Sequence, residues 1–173
     1  MASLTNKTAL VTGASRGIGR ATASALADAG AHVLVHYGHS AQDAESIVAD
    51  IRSKGGRADA VKADLGTPDG ATLLAKEVRS IVGERLDVLV LNAGISKAAR
   101  IADYTVEDLD NLFAINVRSP FFLVQQLLPV LGEGSNIIVI SSIGARAVVG
   151  MPRFGQPFDP CLRRDQGSLR DSC

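Results

Sequence analysis

Short runs rich in Val, Ile and Leu recur along this chain at a near-regular interval, separated by segments with helical spacing. That alternation leaves few folds open. The runs occupy residues 8–12, 32–36, 58–62, 86–91 and 136–141. The first four begin roughly 25 residues apart, enough for one strand and one crossover helix. Between them, Ile18, Ala21, Ala25 and Ala29 recur every three to four residues. So do Ala44, Ile47, Val48 and Ile51, and then Leu73, Leu74, Val78 and Ile81, and a longer helical pattern runs from about Val106 to Leu131. Near-continuous apolar strands alternating with helices mean parallel βαβ units with both sheet faces covered. The expectation is an open, doubly wound α/β sheet. Gly30, the Gly55-Gly56 pair and Gly83 stand where helix C-caps are needed, Pro68 opens the third helix, and Pro120 is expected to kink the fourth.

The first strand runs into Gly13-Ala14-Ser15-Arg16-Gly17-Ile18-Gly19, and a helix follows. The order G-x-x-x-G-x-G serves the physics of a dinucleotide loop. Gly13 permits the tight turn, Gly17 lets the backbone approach a pyrophosphate, and Gly19 lets the helix sit close to the strand. The helix N-terminus supplies free N–H groups and the positive end of the dipole. Nicotinamide enzymes often place an acid after the second strand to hold the ribose 2′-hydroxyl. Here that strand ends His36-Tyr37-Gly38-His39-Ser40, and no carboxylate appears before Asp43. Arg16, inside the loop, is positioned to meet a 2′-phosphate. NADP(H) is therefore favoured over NAD(H). His32, His36 and His39 have no carboxylate or thiolate partner at ligand spacing, so no metal is expected.

Composition excludes several classes. The chain has 173 residues, with Lys+Arg 18 balanced by Asp+Glu 18, and is 46% hydrophobic. Low hydrophobicity and high net charge, the signature of disorder, are both missing. The balanced charge gives no nucleic-acid footprint. The longest apolar runs, near 88–91 and 137–140, are far too short to span a membrane. Residues 1–12 contain no apolar signal region, and two cysteines make no disulfide framework, so a cytoplasmic protein is expected.

Further segments fit one family. Asp64-Leu65 follows the third strand, Asn92-Ala93-Gly94 the fourth, Asn116 lies in the long fourth helix, and the fifth strand ends in Ser141-Ser142. With the Gly13 loop, these resemble the short-chain dehydrogenase/reductase family, particularly its 3-oxoacyl-reductase-like members. The resemblance covers residues 5–154. It implies a Rossmann-type sheet of order 3-2-1-4-5 and hydride transfer between NADP(H) and a small-molecule carbonyl or alcohol, usually in a homo-oligomer. It implies that Gly13, Ser15, Arg16, Gly17, Ile18 and Gly19 hold the pyrophosphate end of the cofactor, with Tyr37 beside it. Asp64 and Leu65 would border the adenine, and Asn92, Ala93 and Gly94 would shape the floor. Ser142 would hydrogen-bond the substrate oxygen, and Asn116 would hold a relay water. Each residue also has a plainer reading: Ser141 and Ser142 as turn residues, Asn92 as a strand cap, Asn116 as a helix polar group bonded to a backbone carbonyl.

The resemblance also implies a Tyr and a Lys, four apart on the next helix, as proton donor and pKa-lowering partner. After Ser142 the chain contains neither; Tyr37 and Tyr104 are both upstream. The family's later strands and helices are missing too. From about Phe158 the composition changes, and Cys161 and Cys173 both fall in this tail. Cys161-Leu162-Arg163-Arg164-Asp165-Gln166-Gly167 can be encoded so that a one-base shift reads Ala-Tyr-Ala-Ala-Thr-Lys, which is the missing motif. The expected organisation is an incomplete dinucleotide-binding domain over 1–157 and a frameshifted tail over 158–173, against the alternative of a naturally short variant. A frameshifted chain is expected to be catalytically impaired and prone to self-association, with its fifth strand an exposed apolar edge. A non-catalytic dinucleotide-binding module and a non-functional product are the other readings.

Overall fold

The computed structural model describes residues 3–142. The chain separates into two units, Met1–Ile140 and Ser141–Cys173. Everything below except Ser141 and Ser142 belongs to the first. The proposed 157/158 boundary and both cysteines lie outside the described residues.

Five strands alternate with helices: β1 (Thr8–Val11), α1 (Gly17–Asp28), β2 (His32–Tyr37), α2 (Ala41–Ser53), β3 (Arg57–Lys62), α3 (Gly70–Val82), β4 (Val88–Leu91), α4 (Val106–Phe113), α5 (Ser119–Leu127) and β5 (Asn136–Val139). They form one sheet of order β3-β2-β1-β4-β5, parallel throughout, with Leu10 registered against Leu34 and Leu89. Side chains alternate across it, as a strand's two-residue period requires. Val11, Val33, Val35 and Val90 pack against Ala23 and Ala27 of α1 and Ile47, Val48 and Ile51 of α2. Leu10, Leu34, Val61 and Leu89 pack on the other face, against Leu74 and Val78 of α3 and Leu123 and Leu127 of α5. Two buried faces explain why β1, β4 and the middle of β2 are apolar at nearly every position, while β3 at the sheet's edge carries Arg57, Asp59 and Lys62 and β5 is exposed.

Three details correct the sequence reading. In α1 the buried stripe is Gly19, Ala23 and Ala27, and Ile18 is 64% exposed. The stripe through Ile18, Ala21 and Ala25 faces outward because Gly19 must press against the loop below. In α3, Leu74 and Val78 are buried, but Leu73 and Ile81 are exposed. The long fourth helical pattern is interrupted by a π-helical turn over Ala114–Arg118, and Pro120 sits in the first turn of α5. Proline tolerates that position because a first-turn N–H needs no partner within the helix. The glycine caps stand as expected, with Gly30 (φ 100°), Gly55 (83°) and Gly83 (66°) all left-handed. Pro68 precedes α3, whose N-cap is Asp69.

Candidate functional site

Every loop singled out within the first unit leaves the C-terminal edge of the sheet, where α/β folds bind ligands. The 13–19 loop joins β1 to α1. Gly13 (φ 62°) and Gly17 (φ 56°) both take the left-handed conformation. A Cβ on Gly13 would stand 2.9 Å from the Ala93 Cα, and one on Gly19 would stand 2.4 Å from the Gly13 carbonyl oxygen and 2.5 Å from Asn92 Nδ2. Gly17 is different, because a Cβ there would meet nothing within 4 Å. Two glycines therefore pack the loop against its own scaffold, and the third leaves an open approach. No side chain caps α1, and its first turn carries no acid, so its positive end is not neutralised from within. Arg16, at the N-cap, and Ile18 are exposed, and Ser15 is partly buried.

Side chains from the strands on either side hold this loop. Thr12 is buried. Its Oγ1 accepts the N–H groups of Asn92 and Ala93, both at 2.9 Å, and donates to the Val90 carbonyl at 3.3 Å. Asn92 Nδ2 donates to the carbonyls of Thr12 (2.9 Å) and Gly13 (3.1 Å). On the β2 side, His36 Nδ1 accepts the Gly13 N–H at 3.0 Å, and the Ala14 N–H bonds the His36 carbonyl at 2.8 Å. His36 Nε2 then donates to the Ala63 carbonyl at 3.1 Å. Burial disfavours the charged imidazole and lowers its pKa to about 4, against a small opposing contribution from the Ala63 bond. From the sequence alone His36 is a candidate only for a metal ligand, and Thr12 has no part. Their partners lie at the ends of other strands, so no local signal in the sequence marks either one.

The remaining residues divide into two groups. Asn92, Ala93, Gly94 and Asn116 line one small pocket, together with Thr12, Leu65 and residues of β4, α5 and β5. Asn116 sits in the π-helical turn. Its Oδ1 accepts the Ile95 N–H and its Nδ2 donates to the Ile95 carbonyl, both at 2.9 Å, which ties the strand-four loop to the helix. Each half of this amide retains one further donor or acceptor position. Tyr37, His39 and Asp64 lie at the ends of β2 and β3. Asp64 Oδ1 accepts the Gly66 N–H at 2.9 Å, and Oδ2 lies 3.7 Å from His39 Nε2. The Leu65 side chain is buried in the core, and its carbonyl accepts the buried Ser119 hydroxyl. β2 is followed by no carboxylate of its own before Asp43, in the first turn of α2, and the acid near its end is Asp64, just after β3. Ser142 is exposed and belongs to the second unit. The Tyr-Lys motif expected in the shifted frame falls outside the described residues.

The short chain dehydrogenase family model matches residues 7–155. The chain belongs to the short-chain dehydrogenase family. It is 42% identical to versicolorin reductase stcU of Emericella nidulans, over 96% of this chain and 66% of the relative. It is 40% identical to trihydroxynaphthalene reductase of Colletotrichum orbiculare, over 98% of this chain and 62% of that one. Among solved structures it resembles the angucycline C-6 ketoreductase LanV with bound NADP, at TM-score 0.81 and 44% identity, covering 86% of this chain and 59% of LanV. A short chain dehydrogenase from Burkholderia cenocepacia in complex with NADP is similar at TM-score 0.80 and 41% identity, covering 84% and 59% of the two chains. This short-chain dehydrogenase therefore spans under two thirds of the length of these relatives. The likeness to LanV, at TM-score 0.81 over 86% of this chain, takes in the five-stranded parallel sheet described above. Among the described residues no helix is long and apolar enough to cross a membrane.

Proposed function

We propose that this chain is the cofactor-binding part of an NADP(H)-dependent oxidoreductase acting on a carbonyl/alcohol pair. The observation that carries the reading is the 13–19 loop, left-handed at Gly13 and Gly17, packed at Gly19, and opening an uncapped helix. Those features fit a dinucleotide pyrophosphate on the N–H groups around Gly17. Exposed Arg16 supplies a planar cation for a 2′-phosphate, and β2 is followed by no acid of its own before Asp43, while Asp64, just after β3, is turned toward His39. The NADP bound in LanV and in the Burkholderia relative supports the same preference. Asp64 and the Leu65 backbone take the adenine end, with Tyr37 beside the ribose. Asn92, Ala93 and Gly94 form the floor. When bound, NADPH would supply hydride to a carbonyl carbon.

The chain's own residues would polarise and orient the substrate. Ser142 donates to the substrate oxygen, and Asn116 holds a water through its remaining donor and acceptor positions. Proton delivery is the deficient step. The chain has no Tyr or Lys after Ser142, and a positioned general acid typically contributes about 10²–10⁴-fold. We propose that one extra base near codon 158 removed both residues. The protein is then a cytoplasmic, catalytically impaired reductase that still binds cofactor. The missing acid equally favours a second reading, a non-catalytic dinucleotide-binding module.

The deciding experiment combines sequencing of the coding DNA across codons 150–173 with an NADPH titration and a turnover assay. Ketones of the hydroxynaphthalene and angucycline classes, for which the relatives are named, are the substrates to try. Micromolar NADPH binding without turnover is expected, with turnover gained when the shifted frame is restored. A shifted frame without Tyr-x-x-x-Lys defeats the frameshift and leaves the binding module. Failure to bind NADPH defeats the cofactor assignment.

A further inference from the structure

His36 has no part in the roles assigned above, yet it makes two directed hydrogen bonds to the 13–19 loop, where Asn92 makes one. It is 2% exposed at the end of β2. Its carbonyl accepts the Ala14 N–H at 2.8 Å and its Nδ1 accepts the Gly13 N–H at 3.0 Å, so one residue turns two successive loop amides inward. Nε2 reaches the Ala63 carbonyl at 3.1 Å, and a carbonyl can only accept. The proton therefore sits on Nε2, and Nδ1 carries the lone pair that Gly13 needs. From the opposite side, Asn92 fixes the Gly13 carbonyl. Both polar groups of the turn glycine are thus held by side chains of the flanking strands.

We propose that His36, as the neutral Nε2–H tautomer, is a positioning residue of the phosphate loop, holding the Gly13 N–H inward so that the N–H groups around Gly17 are already aimed at the cofactor. The proposal rests on the dinucleotide reading of the loop. Preorganisation of this kind spares the cofactor the cost of ordering the loop. A purely structural histidine would matter for its volume and for its bond to β3. A positioning histidine matters for the acceptor at Nδ1.

Two substitutions separate these roles. In His36→Asn the side-chain carbonyl falls near the place of Nδ1 and keeps the Gly13 acceptor. In His36→Gln the side-chain amide falls near the place of Nε2, keeping the donor to Ala63 and losing that acceptor. On the full chain, we expect imidazole ¹⁵N NMR to show an unprotonated Nδ1 and a protonated Nε2 at neutral pH. We expect Gly13 amide exchange to stay slow in His36→Asn and to accelerate at least tenfold in His36→Gln. NADPH Kd should change less than threefold in the first and rise about tenfold in the second, even where the two melt at similar temperatures. The opposite tautomer, or equal Gly13 exchange and equal Kd in the two variants, overturns the proposal. A wild-type chain that shows the exchange pattern but binds no NADPH upholds the positioning of Gly13 and refutes the dinucleotide reading instead.

Discussion

The three loop glycines have different physical duties, and substitution separates them. Alanine at Gly19 drives its Cβ into the Gly13 carbonyl at 2.4 Å, so the loop or the helix must move. We expect Gly19→Ala to lower stability by about 2 kcal/mol and to abolish NADPH binding. At Gly17 there is room, and the cost is the left-handed backbone alone, about 1 kcal/mol. Chemical denaturation of the two variants checks the order, and a larger loss at Gly17 would overturn it. His36 carries a pH signature as well. Its folded pKa is about 4, against an ordinary 6.5, and the cause is burial. Between those values the unfolded chain binds a proton that the folded one refuses. Stability is thus fully present above pH 6.5, falls as pH drops toward 4, and loses on the order of 3 kcal/mol to this group. Denaturation midpoints measured from pH 7.5 to 4.5 should follow that slope in the wild type and flatten in His36→Asn. Asp87 acts lower on the scale. Burial raises its pKa, but hydrogen bonds from Arg85, the Thr8 N–H and Lys7 outweigh this and hold it at about 2, so its contribution is lost only as pH falls through 3.8 toward 2.

At the scale of elements, Thr12 joins β1 to β4 at the edge where the site is built. Thr12→Val keeps the volume and leaves the Asn92 and Ala93 N–H groups without their acceptor. We expect a loss of about 2–4 kcal/mol and weaker NADPH binding, read by thermal melting and titration. A change below 0.5 kcal/mol would show that the strand-four loop finds other partners. The sheet order followed only from the family resemblance. The five strands and the helix caps were legible in the sequence because strand period, crossover length and glycine caps act locally. The face of α1 was not. Its Ala-rich pattern offers two stripes, and only the packing of Gly19 on the loop decides between them. The π-helical turn was hidden for a similar reason. Pro120 announces a break, but what sets its place is farther off: Asn116 turned toward Ile95, and Arg118 and the Ser119 hydroxyl bonded to the Gly66 and Leu65 carbonyls. Motifs named the candidate site residues, while their partners His36 and Thr12 emerged only from neighbours across the sheet.

Over the whole molecule, the distribution of apolar surface sets how the chain should behave. Val106, Leu109, Phe113, Val117, Phe121 and Leu128 are all exposed along the helical stretch from α4 to the end of α5, and Phe121 and Phe122 meet edge to face at 5.3 Å. Ile137, Ile138 and Val139 are exposed on β5, whose outer edge pairs with no strand among the described residues. A row of exposed apolar side chains along one helical stretch invites association, as does an unpaired apolar edge. The helical face and the strand make separable contributions. Phe113→Gln with Phe121→Gln removes two large rings that already face solvent, so it should raise the concentration at which light scattering appears while leaving the melting temperature within about 2 °C. Lysine at Ile138 acts on the edge instead and should slow aggregation without altering a reversible oligomer. Sedimentation velocity over a hundredfold concentration range distinguishes the two. If the wild type sediments as a single concentration-independent monomer, neither surface drives association, and the exposed helix stripe needs a different explanation.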